Sequence, residues 1–147
     1  MMTNQFRVTR TSWEEQRKDL IRIRTLVFIN EQLVPPELEW DGYDNDCWHV
    51  IAHTDDNEYI ATGRMLYDGH IGRMAVLPEF RSQGIGSAIL NELVKIAKQQ
   101  GLNEVFLHAQ TSAIEFYQKH GFIISSDEFM DAGIPHVTMR KPLTSTE

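Results

Sequence analysis

Arg81-Ser82-Gln83-Gly84-Ile85-Gly86 joins an apolar run to a long amphipathic stretch, and the fold of the chain can be worked out from this turn. The apolar run, residues 71–77, is typical of a strand, and Pro78 ends it. After the turn, Gly101 stands where the C-terminal cap of a helix belongs. Between the two, apolar residues recur at helical spacing and predict one buried helix face: Ile85, Ala88, Ile89, Leu93, Ile96 and Ala97.

The junction between this strand and this helix has the features of an anion-binding site. Its glycines allow the backbone to approach a ligand without a Cβ in the way. The amides of the first helical turn have no partner inside the helix, and the helix dipole adds partial positive charge there. Together with Arg81, these amides predict a cradle for a pyrophosphate.

The six residues by themselves leave a second interpretation open, an ordinary strand-to-helix turn. Other nucleotide-binding motifs fit less well. A Rossmann turn would need its third glycine at Ile89, and the lysine and Ser/Thr of a Walker loop are missing.

One further motif precedes the turn in the sequence, and another follows it. Met74-Ala75-Val76 precedes it, and residues 113–122 have the pattern Ala-x-x-x-Tyr-x-x-x-Gly-Phe. With Arg-x-x-Gly-x-Gly at residues 81–86, this order resembles the GNAT superfamily of acyl-CoA-dependent N-acyltransferases. The resemblance extends from Arg7 to Leu143, and the block from Glu31 to Asp41 resembles a small ElaA-like bacterial branch.

Length and composition limit the classes of protein that the chain can be. Its 147 residues fit one domain, residues 1–147, large enough to bury a core. A formal net charge of -7 argues against a nucleic-acid partner and mildly favours a cationic substrate. The single Cys47 excludes an internal disulfide and is predicted to be a structural thiol. No signal core and no apolar run near the ~20 residues of a membrane span is present, so we expect a cytoplasmic protein without a membrane partner.

The first half of the chain predicts a strand, a helix and a three-stranded meander. Ser12 and Glu15 form a capping box that opens the helix, and Asn30-Glu31 is its expected end. Residues 32–46 contain two prolines and several carboxylates, which favours an irregular and functional loop. Three strands are predicted next, over residues 48–53, 58–66 and 71–77.

The second half predicts the helix of residues 85–100, a buried strand at 104–108 and a short helix that Thr111 or Ser112 caps. Two closing strands, residues 122–124 and 135–139, are expected to pair antiparallel, with a flexible polar connection from Asp127 to Gly133. The resulting order, β-α-β-β-β-α-β-α-β-β, predicts a mixed α/β fold. It matches the GNAT arrangement, in which two central strands splay apart.

The resemblance implies that acetyl-CoA enters between the Met74 strand and the strand of residues 105–108. Backbone groups of Met74, Ala75 and Val76 would then pair with the pantetheine, and Ala113, Phe116 and Gln110 would contact the cofactor; many relatives have Asn at the place of Gln110. The pyrophosphate would be held by the turn and the start of its helix: Arg81, Ser82, Gln83, Gly84, Ile85, Gly86 and Ser87.

The resemblance also places Tyr117 where the family often has its general acid. A phenol can protonate the leaving thiolate of CoA, although Tyr117 could also be an ordinary amphipathic tyrosine. Candidate bases for the attacking amine are Glu31, Glu39, Asp41, His49 and His108, each of which could instead be structural. His108 is favoured by its position, and Glu31 could alternatively grip a cationic substrate. A zinc site from His49, His53, His70 and His108 is disfavoured by spacing, so no metal is expected.

These features together favour an N-acetyltransferase that moves the acetyl group of acetyl-CoA to a primary amine by direct attack. The acceptor would be a small molecule or a peptide amine, and exposed closing strands suggest a possible homodimer by resemblance. The alternative is a non-catalytic acyl-CoA-binding sensor or regulatory module.

Overall fold

The computed structural model describes residues 5–143, which form a mixed eight-stranded sheet with four α-helices. The helices are α1 (Trp13–Arg24), α2 (Pro36–Glu39), α3 (Ile85–Gln99) and α4 (Ile114–Lys119). The strands are β1 (Phe6–Thr11), β2 (Cys47–Thr54), β3 (Tyr59–Leu66), β4 (His70–Val76), β5 (Glu104–Gln110), β6 (Ile123–Ile124), β7 (Phe129–Asp131) and β8 (Ile134–Pro142). Their order in the sheet is β1-β2-β3-β4-β5-β8-β6, with β7 also beside β8. The mixed α/β prediction is thus confirmed.

The N-terminal half of the sheet is the antiparallel meander that the sequence predicts. Strands β1 to β4 pair with their neighbours in chain order. The two faces of β3 meet different helices, because side chains alternate along a strand. A Cβ built on Gly63 would lie 2.7 Å from Ile89 of α3, whereas Arg64 reaches the side of α1 and contacts Asp44.

The first helix begins where the capping box predicts it. The Ser12 hydroxyl accepts a hydrogen bond of 3.1 Å from the backbone N–H of Glu15. After Arg24 the helix widens into a π-helical segment, residues Thr25–Glu31, in which Gln32 N–H still bonds to the carbonyl of Val27 at 3.0 Å. The helical run therefore ends at Glu31, as predicted.

Helix α3 confirms the apolar face and its predicted end. Ile85, Ile89 and Leu93 are almost completely buried. Gly101 follows the helix with a positive φ of 79°, and Leu102 N–H returns to the carbonyl of Ala97 at 3.0 Å. This is the hydrogen-bond pattern of a glycine-terminated helix end.

The centre of the sheet is split. Strands β4 and β5 are parallel and pair at only two positions, His70 with Phe106 and Ile71 with Leu107. Beyond them the two strands separate, while β5 pairs with β8 along its whole length. The predicted opening between these central strands is therefore present.

Three local predictions were wrong. The connection 127–133 is not wholly irregular, because Phe129–Asp131 pairs with β8 as a hairpin. Residues 32–46 likewise contain α2 and a 3₁₀ turn at Asp44–Asp46. Neither Thr111 nor Ser112 caps α4, since both belong to a 3₁₀ turn without a side-chain cap.

Within residues 5–143, no helix has the length and apolar character needed to cross a membrane.

Candidate active site

The gap between β4 and β5 contains a cavity of about 480 Å³. Its walls come from the end of the π-helical segment, the 32–46 loop, β4, β5, α4 and the β7–β8 hairpin. Met74, His108, Gln110, Ala113 and Tyr117, all predicted site residues, line it. Residues predicted from separate parts of the sequence therefore face one cavity.

The turn before α3 has the geometry of an anion cradle. Gly84 has a φ of 82° and Ser82 a φ of 67°, left-handed values that bend the chain into the helix. The first intrahelical hydrogen bond runs from Ala88 N–H to the carbonyl of Gly84 at 3.1 Å. The amides of the residues between them have no acceptor in the helix and are free to bind an anion. A Cβ on Gly86 would lie 3.7 Å from the ring of Phe116, so this turn and α4 face each other closely.

Arg81 is held by two partners at this end of the site. Its Nε donates to the carbonyl of Val76 at 2.9 Å, and its two terminal nitrogens donate to the Glu31 carboxylate at 2.7 Å each. The hydrogen bonds from Arg81 lower the pKa of Glu31. The structure thus brings Glu31 to the turn before α3, outside the lining of the cavity. An ionised carboxylate with two arginine contacts is a poor base, and this geometry favours an anchoring role.

Tyr117 lies on the wall that α4 contributes. Its ring packs edge-on against Phe116 and Phe122, with centroid distances of 5.0 and 5.9 Å. Burial raises the pKa of Tyr117 to about 12, so the phenol stays protonated at neutral pH. Nearby, Gln110 Nε2 donates to Gln32 Oε1 at 3.2 Å and links the end of β5 to the 32–46 loop.

His108 faces the cavity from β5 and is exposed. Burial of part of the ring lowers the pKa of His108, while the Asp131 carboxylate acts in the opposite direction. The imidazole is therefore neutral near pH 7 and can accept a proton. Its ring centroid lies 4.7 Å from that of His70, whose pKa burial lowers to about 4.

The other candidate bases are engaged in structural contacts. His49 is 1% exposed, and its Nε2 lies 2.9 Å from the carbonyl of Asp44. Glu39 and Asp41 pair with arginines, as described next. In the described part of the chain, no three His, Cys, Asp or Glu side chains are arranged to hold a metal ion. Burial raises the pKa of Cys47 to about 11, which keeps it a thiol.

A buried network of arginines and carboxylates fixes the 32–46 loop to the sheet, and the sequence did not reveal it. Arg24 of α1 donates to Glu39 at 2.7 Å and to Asp44 at 2.6 Å, and all three are at most 5% exposed. Arg64 of β3 donates to Asp44 at 2.8 Å and also to Asp41. Burial by itself would raise the pKa of Asp41, but the contact with Arg64 outweighs it and lowers the pKa to about 2. The one local signal was Arg24 itself, a charged residue at the helical spacing of the apolar face.

Arg73 extends this network to the cavity wall. It has a φ of 50°, rare for a residue with a side chain, at the irregular part of β4. Its guanidinium donates to the Glu39 carbonyl at 3.1 Å and to Asp41 at 3.3 Å. The loop is thereby tied to the strand that borders the gap.

Comparisons with known proteins agree with this geometry. Residues 17–143 match the family model described as an acetyltransferase (GNAT) domain. The uncharacterized N-acetyltransferase YjcF of Bacillus subtilis is 42% identical over 132 residues, which cover 87% of this chain and 94% of that protein. Escherichia coli ElaA is 26% identical, with a TM-score of 0.82 and coverage of 93% of this chain and 99% of ElaA.

A GNAT family acetyltransferase from Elizabethkingia anophelis, solved with acetyl-CoA bound, has the same fold. Its TM-score is 0.71 at 17% identity, with 96% of this chain and 100% of that chain covered. The match of the family model over most of the sequence and the 42% identity to YjcF decide the classification. This chain belongs to the GNAT acetyltransferase family, as the two sequence motifs and the split sheet had indicated.

Proposed function

We propose that the protein transfers the acetyl group of acetyl-CoA to a primary amine, which attacks the thioester directly. The observation that carries this proposal is the split between β4 and β5, with the free amides of α3 near one end and His108 at the cavity. The acetyl-CoA in the structure of the E. anophelis relative supports the choice of donor.

Donor binding would use backbone more than side chains. The pyrophosphate would bind the amides from Gln83 to Ser87, beside Phe116, whose ring would lie 3.7 Å from a Cβ built on Gly86. Arg81 would lie beside the pyrophosphate, and its two hydrogen bonds to Glu31 hold its guanidinium in place. Backbone groups of Met74, Ala75 and Val76 would pair with the pantetheine, beside Ala113 and Gln110.

The reaction needs two proton transfers, and the cavity offers one group for each. The amine nitrogen forms a bond to the acetyl carbon, and the bond from that carbon to the CoA sulfur breaks. Tyr117, whose phenol is protonated at neutral pH, would give its proton to the leaving sulfur. His108, neutral at pH 7, would take the proton that the amine loses, directly or through water. A strand amide near Val76 would polarise the thioester carbonyl.

A screen of primary amines with acetyl-CoA tests the proposal. We expect release of free CoA thiol with at least one class of amine, well above the release without amine, and a product heavier by one acetyl group in mass spectrometry. A folded protein that binds acetyl-CoA in calorimetry but releases no thiol with any amine would instead be an acyl-CoA sensor. That outcome would overturn the assignment as an enzyme.

The role of His108 predicts a particular pH dependence. Because the pKa of His108 lies below its ordinary value of 6.5, the fall of kcat in acidic solution should have its midpoint below pH 6.5. His108→Gln should lower kcat at neutral pH by about a hundredfold, the low end for general base catalysis. It should also abolish the acidic limb, since no imidazole remains there to protonate.

The measurement is kcat against pH at saturating acetyl-CoA and amine. His53→Gln is the matched control, because His53 bonds to the Thr54 carbonyl on β2 and does not line the cavity. An acidic limb that persists unchanged in His108→Gln would show that another group is the base.

The charged or titratable groups that surround His108 and His70 are Arg64, Asp68, Arg73, Asp131, His136 and Arg140.

A further inference from the structure

A continuous row of aromatic rings crosses one face of the sheet beside the cavity. Phe106 stacks on His70 at 4.8 Å between centroids, and His70 lies 4.7 Å from His108. His108 meets Phe129 edge-on at 5.3 Å, and Phe129 stacks on His136 at 6.0 Å. We call these five side chains the ring row.

Strand register explains why residues so far apart in sequence meet here. His70 is opposite Phe106, and Phe129 is opposite His136, so each pair points to the same face of the sheet. Phe106 and His108 are two residues apart on β5, which puts them on one face as well. The row therefore follows from the pairing of four strands.

The two ends of the ring row differ in what covers them. At one end, the Arg140 guanidinium lies 5.0 Å from the Phe106 ring. At the other end, His136 lines the cavity, and so do His70 and the exposed His108 between the two ends, while Phe129 is half-buried. The open part of the row is thus the part that adjoins the proposed site of reaction.

Two of the rings that line the cavity, His70 and His108, carry no charge near pH 7. Burial lowers the pKa of His70 and of His108, so both imidazoles that line the cavity are neutral at pH 7. Asp131, which lies on the same hairpin as Phe129 and also lines the cavity, supplies negative charge for an ammonium group. A wall of flat rings beside a carboxylate complements a molecule that combines a ring with an amine.

We propose that the acceptor in the proposed reaction carries an aromatic ring close to its primary amine, and that the ring row holds this ring. The inference rests on the proposed function. An aromatic ring gains edge-on and offset contacts with other rings that a saturated ring of similar size does not.

The test compares 2-phenylethylamine with 2-cyclohexylethylamine, which have the same chain length and differ in aromaticity. We expect kcat/KM to be about two- to tenfold higher for the aromatic amine, the range that aromatic pairs supply beyond buried area. Phe129→Leu should remove most of this preference, so that the ratio of kcat/KM for the two amines approaches one.

Met130→Leu is the matched control, since Met130 is the next residue of β7, points to the opposite face and is 63% exposed. It should keep the aromatic preference. Equal kcat/KM for the two amines, or a preference that survives in Phe129→Leu, would overturn the inference while the enzyme assignment stood. If no amine caused the release of free CoA thiol, the proposed function would be overturned, and the inference with it.

Discussion

Replacing Tyr117 with phenylalanine is expected to lower kcat by a factor of about 10² to 10⁴, the range for loss of a general acid. The affinity for CoA should barely change, because phenylalanine keeps the ring that packs between Phe116 and Phe122. Only the hydroxyl is lost, and with it the proton for the leaving thiolate. This separation of turnover from binding is what a proton donor predicts and what a packing residue does not.

The measurement combines initial rates at saturating substrates with calorimetric titration of CoA. Tyr67→Phe is a matched control, since Tyr67 packs on Trp48 and lies outside the cavity. If Tyr117→Phe retained kcat within about threefold of the unchanged protein, Tyr117 would not be the general acid. A parallel loss of CoA affinity would point to a role in binding.

Replacing Arg24 with methionine is expected to lower the free energy of unfolding by about 3–5 kcal/mol, the typical cost of removing one partner from a buried ion pair. The Arg24 side chain is 1% exposed and pairs with Glu39 and Asp44, both nearly as buried. It also lies between Trp13 and Trp40, 5.6 and 4.9 Å from their rings. Methionine would fill much of the space but leave two carboxylates with too little positive charge.

Urea unfolding measures this loss, and Arg10→Met is the matched control. Arg10 pairs with Glu92 at 2.6 Å, but its side chain is 41% exposed, so its removal should cost at most about 1 kcal/mol. If both variants lost the same free energy of unfolding, the buried ion pairs of Arg24 would contribute no more to stability than the exposed pair of Arg10. A smaller m-value for Arg24→Met would show a loosened native state, in which the 32–46 loop no longer packs.

The sequence predicted most of the fold because strands and helices leave local periodic signals. Helix α3 is an example, since its apolar spacing, its glycine turn and Gly101 all lie within one short stretch. Strand β7 was missed because only three residues pair and Met130 and Asp131 are exposed, so no apolar alternation marks it.

The candidate site was predictable where it consists of contiguous backbone and not where it consists of distant pairs. The turn at residues 81–86 forms its cradle from neighbours in sequence. The contact of Arg81 with Glu31 joins residues 50 positions apart, and no local pattern encodes it. The arginine network has the same character, which is why Glu39 and Asp41 were candidate bases in the sequence and are ion-paired in the structure. The roles of Tyr117 and His108 stay predictions until the variants are measured.

The π-helical winding of Thr25–Glu31 has an evolutionary consequence. A π-helical turn closes its hydrogen bond over one residue more than an α-helical turn, so the position of Glu31 opposite Arg81 depends on how many residues this segment contains. Substitutions here can be tolerated one side chain at a time, whereas insertions and deletions would break the contact between Glu31 and Arg81 at once. Natural selection should therefore constrain the length of this segment more strictly than its composition.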